Sequence, residues 1–178
     1  MVNRISLSVL VVVFAISALA FKPLDDWIRF VPPEGTFAVL MPNQPEHSTK
    51  TSENPAGKIV TEIWRSSYQD GAYLVGATDY PVDVDPKKEL DLDRDNFLKA
   101  VNAKLTSESD IKVGGYPGRE FAGSGDNDDW ASRVLVDGKR RVYQVAVRTP
   151  KSGDHSLATK CVNSFEILKS VSKYENSN

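Results

Sequence analysis

Two histidines, one cysteine and two runs of carboxylates are the side chains of this 178-residue chain that could carry chemistry. Cys161 is the sole cysteine, so no disulfide can close within the chain, and a thiolate nucleophile would need a base beside it. Its spacing from Leu157, Ala158, Val162 and Phe165 makes it a small apolar core residue instead. His47 lies in a polar stretch with no His, Cys or Asp at metal-ligand spacing, and reads as a solvated loop histidine. His155 and Ser156 are adjacent, and neighbours on a helix point in different directions, so they make a poor base–nucleophile pair. Asp91, Asp93 and Asp95 alternate like the ligands of a calcium loop. The sixth position, however, is Asn96 where such a loop needs glycine, and the twelfth is Asn102 where it needs glutamate. Asp126-Asn127-Asp128-Asp129 reads as a hairpin loop, with weak cation binding as the lesser reading.

The familiar catalytic phrases are missing. The chain has no phosphate-cradling glycine loop ending in Lys-Ser or Lys-Thr, no Gly-x-Ser-x-Gly elbow and no His-Glu-x-x-His pair. Two histidines and one cysteine are too few for a typical structural zinc site. No catalytic, cofactor-binding or metal-ligating residue is therefore assigned, and no cofactor is expected. A hydrolase with an unrecognised site remains a third reading. It would require a cleft with clustered acidic residues or His155.

Composition narrows the partners. Forty per cent hydrophobic and 26% charged residues suit a globular chain rather than a disordered one. The net charge is −2, and without the first twenty residues 21 basic side chains face 24 acidic ones. No general basic field is present to hold nucleic acid. The one basic cluster, Lys139-Arg140-Arg141, flanks a hairpin turn and reads as a solvated edge.

The N-terminus reads as an export signal. Arg4 precedes an apolar stretch from Leu7 to Ala20, and Ala18-Leu19-Ala20 puts small residues where a signal peptidase reads. Cleavage is expected after Ala20, and the protein is expected in the periplasm or outside the cell. The alternative is an uncleaved anchor, for which the apolar stretch is short of the roughly 20 residues a spanning helix needs. Contact with the membrane is expected only through that segment. The reading divides the chain into a signal at 1–20, one domain at 21–168 and a polar tail at 169–178.

The elements that must position these groups follow from periodicity. Trp27 to Val31 and Thr36 to Met41 are expected as strands around the turn Pro32-Pro33-Glu34-Gly35, and both faces of the second are apolar. Pro42 to Gly57 is polar and is expected to be a mobile loop, with one strand near His47 to Thr51. Lys58 to Tyr68 and Ala72 to Tyr80 form a hairpin around Asp70-Gly71. Its second strand is thin at Gly76 and Ala77, where a bulky group from elsewhere could pack. Glu89 to Lys104 reads as a helix begun by Asp91 and Asp93, with Leu90, Phe97, Leu98, Val101 and Leu105 on its apolar face. Trp130 to Val136 and Lys139 to Arg148 form a second hairpin around Asp137-Gly138. Asp154 then caps a last helix ending near Ser164.

Between the first helix and the second hairpin lies Ile111 to Phe121, two strands meeting at a glycine–proline corner. Gly114, Gly115 and Gly118 with Pro117 impose a path that bulkier residues could not follow, and a positive φ at Gly118 is the expectation. Gly115, Tyr116, Pro117, Gly118 and Arg119 are the candidate partner-binding residues, with Pro42–Gly57 as a second candidate surface.

Phe30-Val31-Pro32-Pro33-Glu34-Gly35-Thr36-Phe37 and Gly114-Gly115-Tyr116-Pro117-Gly118-Arg119-Glu120, with this order of elements, resemble secreted bacterial proteins of the PsbP/Mog-like (DcrB-type) fold group. That group includes PsbP, the extrinsic subunit of photosystem II, the Ran-binding Mog proteins and the envelope protein DcrB. The resemblance implies an α+β fold, a twisted antiparallel sheet flanked by two helices, and a scaffold that works by docking rather than catalysis. No functional residue is carried over with it. The leading expectation is a non-enzymatic secreted or periplasmic binding module whose partner is an envelope protein. The alternative is a carrier of a small apolar ligand held between sheet and helix, with Trp64, Tyr73 or Trp130 as pocket walls. Oligomeric state is not readable from this sequence.

Overall fold

The computed structural model describes residues 27–138 and 140–168. The expected signal segment, the Phe21–Asp26 tail, Lys139 of the basic cluster and the polar tail from 169 lie outside the described residues. The strands are β1 (Ile28–Phe30), β2 (Phe37–Met41), β3 (Glu46–Asn54), β4 (Gly57–Tyr68), β5 (Gly71–Asp79), β6 (Lys104–Val113), β7 (Tyr116–Ser124), β8 (Asp128–Asp137), β9 (Arg141–Pro150) and β10 (Glu166–Ile167). The helices are α1 (Pro86–Ala100), between β5 and β6, and α2 (His155–Asn163), between β9 and β10. Seven strands form one antiparallel sheet in the order β3-β4-β5-β9-β8-β7-β6. A second, three-stranded antiparallel sheet, β1-β2-β10, was not foreseen as separate from the first.

Alternation along β8 and β9 divides the core in two. Leu135, Tyr143, Val145 and Val147 face one way and pack with Trp64, Tyr73 and Val75, with Phe37 and Met41 of β2, and with Ala158, Cys161 and Val162 of α2. Val134, Val136 and Val142 face the other way and pack with Phe121 and with Leu90 and Leu98 of α1. Each helix therefore covers one face of the large sheet, and each fully buried apolar side chain contributes about 1.5–3 kcal/mol. Phe37, Val39 and Met41 of β2 pack into the first core, and Ala38 on its other face is buried as well.

Several boundaries differ from expectation for local reasons. The first hairpin turns on Gln69 and Asp70 rather than on Asp70-Gly71: both have positive φ, at 47° and 61°, and Tyr68 pairs with Gly71. Gly71 is held in the ladder, where an added Cβ would lie 3.1 Å from the Tyr68 carbonyl oxygen and 3.3 Å from that of Arg148. No bulky side chain occupies the thin part of β5, since the nearest atom to an added Cβ at Gly76 is the Glu62 carbonyl oxygen at 3.7 Å. The second hairpin pairs Asp137 with Arg141, so its loop is three residues long and begins at Gly138 with φ 65°. The Pro42–Gly57 stretch is chiefly β3, a nine-residue edge strand hydrogen-bonded along its length to β4, not a mobile loop. Asp128 and Asp129 belong to β8, so only the first half of the acidic run is a turn.

α1 starts three residues earlier than expected. Asp85 is its cap, accepting a hydrogen bond from the Lys88 backbone N–H at 3.1 Å, and Pro86 occupies the first turn where no N–H is needed. Asn102, with φ 51°, ends the helical path, and β6 begins at Lys104. Leu105 is consequently on a strand and 44% exposed rather than on the helix's apolar face. Asp154 caps α2 as expected, accepting from the Ser156 N–H at 2.8 Å.

Candidate functional site

The glycine corner is a two-residue hairpin turn. Gly114 and Gly115 have φ values of 61° and 93°, and Val113 pairs with Tyr116 across them. Gly118 does not have the expected positive φ. It is an ordinary strand residue between Ile111 of β6 and Leu135 of β8, and an added Cβ there would lie 2.2 Å from Leu135 Cδ2. Glycine is required there by close packing of neighbouring strands, not by backbone conformation. Gly115 is exposed, Tyr116 and Pro117 are half-buried, and Arg119 is only 7% exposed.

Arg119 is buried because three carboxylates surround it. Its Nε lies 2.9 Å from Glu108 Oε1 and its Nη2 lies 3.1 Å from Asp110 Oδ1, while Nη1 donates to Asp91 of α1. Arg94 extends the network, bonding Asp95 at 2.8 Å and Glu108 at 2.5 Å. The Arg119 hydrogen bond holds the Asp91 carboxyl below its usual range. Asp91 and Asp95, two of the three residues that gave the calcium-like spacing, are thus spent on arginines. The third, Asp93, is half-buried beside Glu89, and burial with that like charge raises its carboxyl to about 7. Tyr80 donates its hydroxyl to Glu89.

Around this network runs a groove of about 440 Å³. Leu90 and Pro86 of the helix start face Ile111 and Pro117 of the corner, with Lys87 and Lys112 on the rims and Arg119 in the floor. Neither lysine forms an ion pair or side-chain hydrogen bond among the described residues. Three of the five candidate residues, Pro117, Gly118 and Arg119, therefore line one concave surface, while Gly115 and Tyr116 lie at its hairpin end. Sequence reading missed Lys87, Leu90 and Lys112, because only the docking of α1 on β7 brings them to the corner.

A second cleft, about 480 Å³, lies between α2 and strands β7 and β8. Ala122, Ala131 and Ala158 supply its apolar lining, while the Trp130 ring packs edge-on against Phe97 of α1 on the other face of the sheet. At its rim Ser124 Oγ donates to Asp129 Oδ1 at 2.6 Å, and His155 Nε2 lies 3.0 Å from Asp129 Oδ2. Lys151 Nζ donates to Ser124 Oγ at 3.1 Å. The Ser124 bond, followed by that of His155, holds the Asp129 carboxyl low. Serine, aspartate and histidine meet here, but the carboxylate stands in the middle. The serine proton goes to a carboxylate held ionised rather than to an imidazole, so the arrangement does not activate a nucleophile.

The remaining candidates are structural. Trp64 and Tyr73 are buried in the first core rather than lining a pocket; of the three expected pocket walls only Trp130 borders a cleft. His47 is on β3, stacked on Trp64 with ring centroids 5.0 Å apart and bonded to Glu62, not free in a loop. Cys161 is fully buried, and burial pushes its thiol up to about 12, so it stays protonated and inert. Among the described residues no group of three metal-ligating side chains gathers, and no helix is long and apolar enough to cross a membrane.

The fold has solved counterparts. The solution structure of cyanobacterial PsbP (CyanoP) from Synechocystis sp. PCC 6803 superposes with a TM-score of 0.56 over 86% of this chain and 99% of that one, at 14% identity. A crystal structure from Bacteroides thetaiotaomicron, also 14% identical, covers 79% of this chain and 48% of that one with a TM-score of 0.42. No family profile and no curated protein matches the sequence. The chain has the PsbP-like α+β fold expected of it: antiparallel sheets with two helices.

Proposed function

We propose that this chain is a non-enzymatic docking module, exported to the periplasm or beyond the cell, that captures an envelope protein at the glycine corner. The observation that carries the reading is the groove between the start of α1 and the β6–β7 hairpin. Pro86, Leu90, Ile111 and Pro117 give it an apolar lining around Arg119, its walls are held by the Arg119 network, and its rims offer Lys87 and Lys112, neither of which forms a direct ion pair among the described residues. Rigid walls lower the ordering cost of binding, and cations on the rims of an apolar lining suit a partner segment with an apolar side chain flanked by carboxylates. A PsbP-like fold is compatible with a module that works without catalysis.

A photo-crosslinking residue at Tyr116, in the full chain expressed in its own envelope, tests this. A discrete adduct is expected, and Lys87→Glu with Lys112→Glu should abolish it while the far-UV spectrum stays unchanged. An adduct indifferent to both charge reversals, or no adduct at all, would remove the reading. The mass of the purified protein tests export separately: cleavage after Ala20 is expected.

A further inference from the structure

We propose that the partner's docking segment lies along the whole seam between α1 and β6, as an extended chain with an apolar side chain between carboxylates at each end and basic or uncharged residues in the middle. The proposal rests on the docking reading above and carries it to the other end of the helix. There, between the end of α1 and the start of β6, a second groove of about 630 Å³ opens. Leu98, Ala103 and the exposed Leu105 give it an apolar lining. Lys99 and Lys104 stand at its sides, both exposed and neither in an ion pair or side-chain hydrogen bond among the described residues. Asp126 is the one carboxylate that lines it. Both ends of the seam therefore pair apolar side chains with two lysines, one from the helix and one from the strand.

Charge follows the same order on both walls. On α1, Lys87, Asp91, Asp95 and Lys99 recur every fourth residue and so share one stripe of the helix. On β6, Lys112, Asp110 and Glu108 alternate onto one face, and Lys104 lies beyond the bulge between Leu105 and Ser107. Arg94 and Arg119 join the two walls midway, where they meet Asp91, Asp95, Glu108 and Asp110. Four carboxylates against two arginines leave the middle negative, and the side chains of Asp95 and Asp110 are 65% and 81% exposed. The seam thus reads positive, negative, positive from end to end. A second copy of this chain is a poor occupant, because that order is the same in either direction and apposed seams would set like charge against like. A segment of opposite order is attracted at all three places. Along β6, Leu105 and Ile111 are six residues apart, about 20 Å of strand, so an extended segment of about seven residues brings one apolar side chain to each groove.

Two synthetic peptides serve as probes, titrated at low salt into the purified, isotope-labelled protein and followed by amide chemical shifts. The peptide Asp-Leu-Asp-Ser-Lys-Ser-Asp-Leu-Asp has the expected order of charge and spacing of leucines, and Lys-Leu-Lys-Ser-Asp-Ser-Lys-Leu-Lys inverts every sign. The first should give saturable shifts at both ends of the seam, at Lys112 and Gly118 and at Ala103 and Gly125. The second should give none. Lys99→Glu with Lys104→Glu should weaken the first peptide about tenfold, the scale of two exposed ion pairs, while the shift at Gly118 persists at saturation. Both lysines are exposed, so this variant should melt like wild type. Shifts confined to the corner, or unchanged affinity in the double variant, would overturn this inference and leave the corner reading standing. Equal binding of the sign-inverted peptide, or no saturable shift at all, would overturn it too. The crosslink from Tyr116 judges the corner reading independently of either result.

Discussion

Gly115 and Gly118 belong to one corner but are glycine for different reasons. Gly115 has φ 93° with nothing within 4 Å of an added Cβ, so Gly115→Ala carries only backbone strain, about 1–2 kcal/mol. At Gly118 an added Cβ meets Leu135 Cδ2 at 2.2 Å and the Val134 carbonyl oxygen at 2.6 Å. Gly118→Ala forces β7 and β8 apart and should cost at least about 1–3 kcal/mol, the usual range for overpacking. Urea denaturation of the two variants separates these effects, and equal midpoints would show that the strand contact is not as close as described. Arg119 is the third residue of interest. Replacing it with methionine leaves Asp91, Glu108 and Asp110 facing one another and should cost about 2 kcal/mol. Asp91 titrates below its unfolded value because of Arg119, so its contribution is present above about pH 4 and is lost as pH falls further. The Arg119→Met variant should therefore show a shallower loss of stability on acidification than wild type.

α1 shows how one helix both builds a site and carries a cost. Asp85 caps it, and Asp85→Ala should lower stability by about 1 kcal/mol, read from the thermal midpoint. Asp93 acts in the opposite sense. Its folded pKa of about 7 lies above the unfolded value of about 3.9, so the folded state binds more protons between those limits. Its contribution to stability therefore falls as pH rises from about 4 to 7. Asp93→Asn should raise stability at pH 8 by about 1–2 kcal/mol and flatten the profile across that interval. A variant no more stable than wild type at pH 8 would show the carboxyl to be well solvated. Periodicity located the buried face of α1 through Leu90 and Leu98, but placed its start at Glu89, with Asp91 and Asp93 in the first turn, rather than at Pro86. Both aspartates sit inside the helix: Asp91 meets a tertiary partner in Arg119, whereas Asp93 is half-buried one turn after Glu89 of the same helix, a like charge.

Stability should be graded across the large sheet. β9 lies between β5 and β8, and Val145 and Val147 are fully buried within it. β3 pairs on one side only, and all nine of its residues are exposed. Native-state hydrogen exchange should be slowest in β9 and fastest, among the strands of this sheet, in β3. Similar protection in both would mean that the sheet opens only as a whole. The polar and charged residues of β3, among them Glu46, Lys50 and Glu53, also discourage further strands from adding to this edge.

Alternation and helical spacing, both local properties, determined which segments became strands and helices. They also assigned Tyr143, Val145 and Val147 to one buried face and Cys161 to a buried stripe. Residue types likewise narrowed the chemistry, because too few histidines and cysteines exist here to build the usual sites. What tertiary structure alone decided is who meets whom across the sheet. Asp91 and Arg119 are 28 residues apart, and Asp129 and His155 are 26 apart, so no local period encodes either pair. Gly118 looked like a turn residue because a steric demand from Leu135 leaves the same sequence mark as a positive φ.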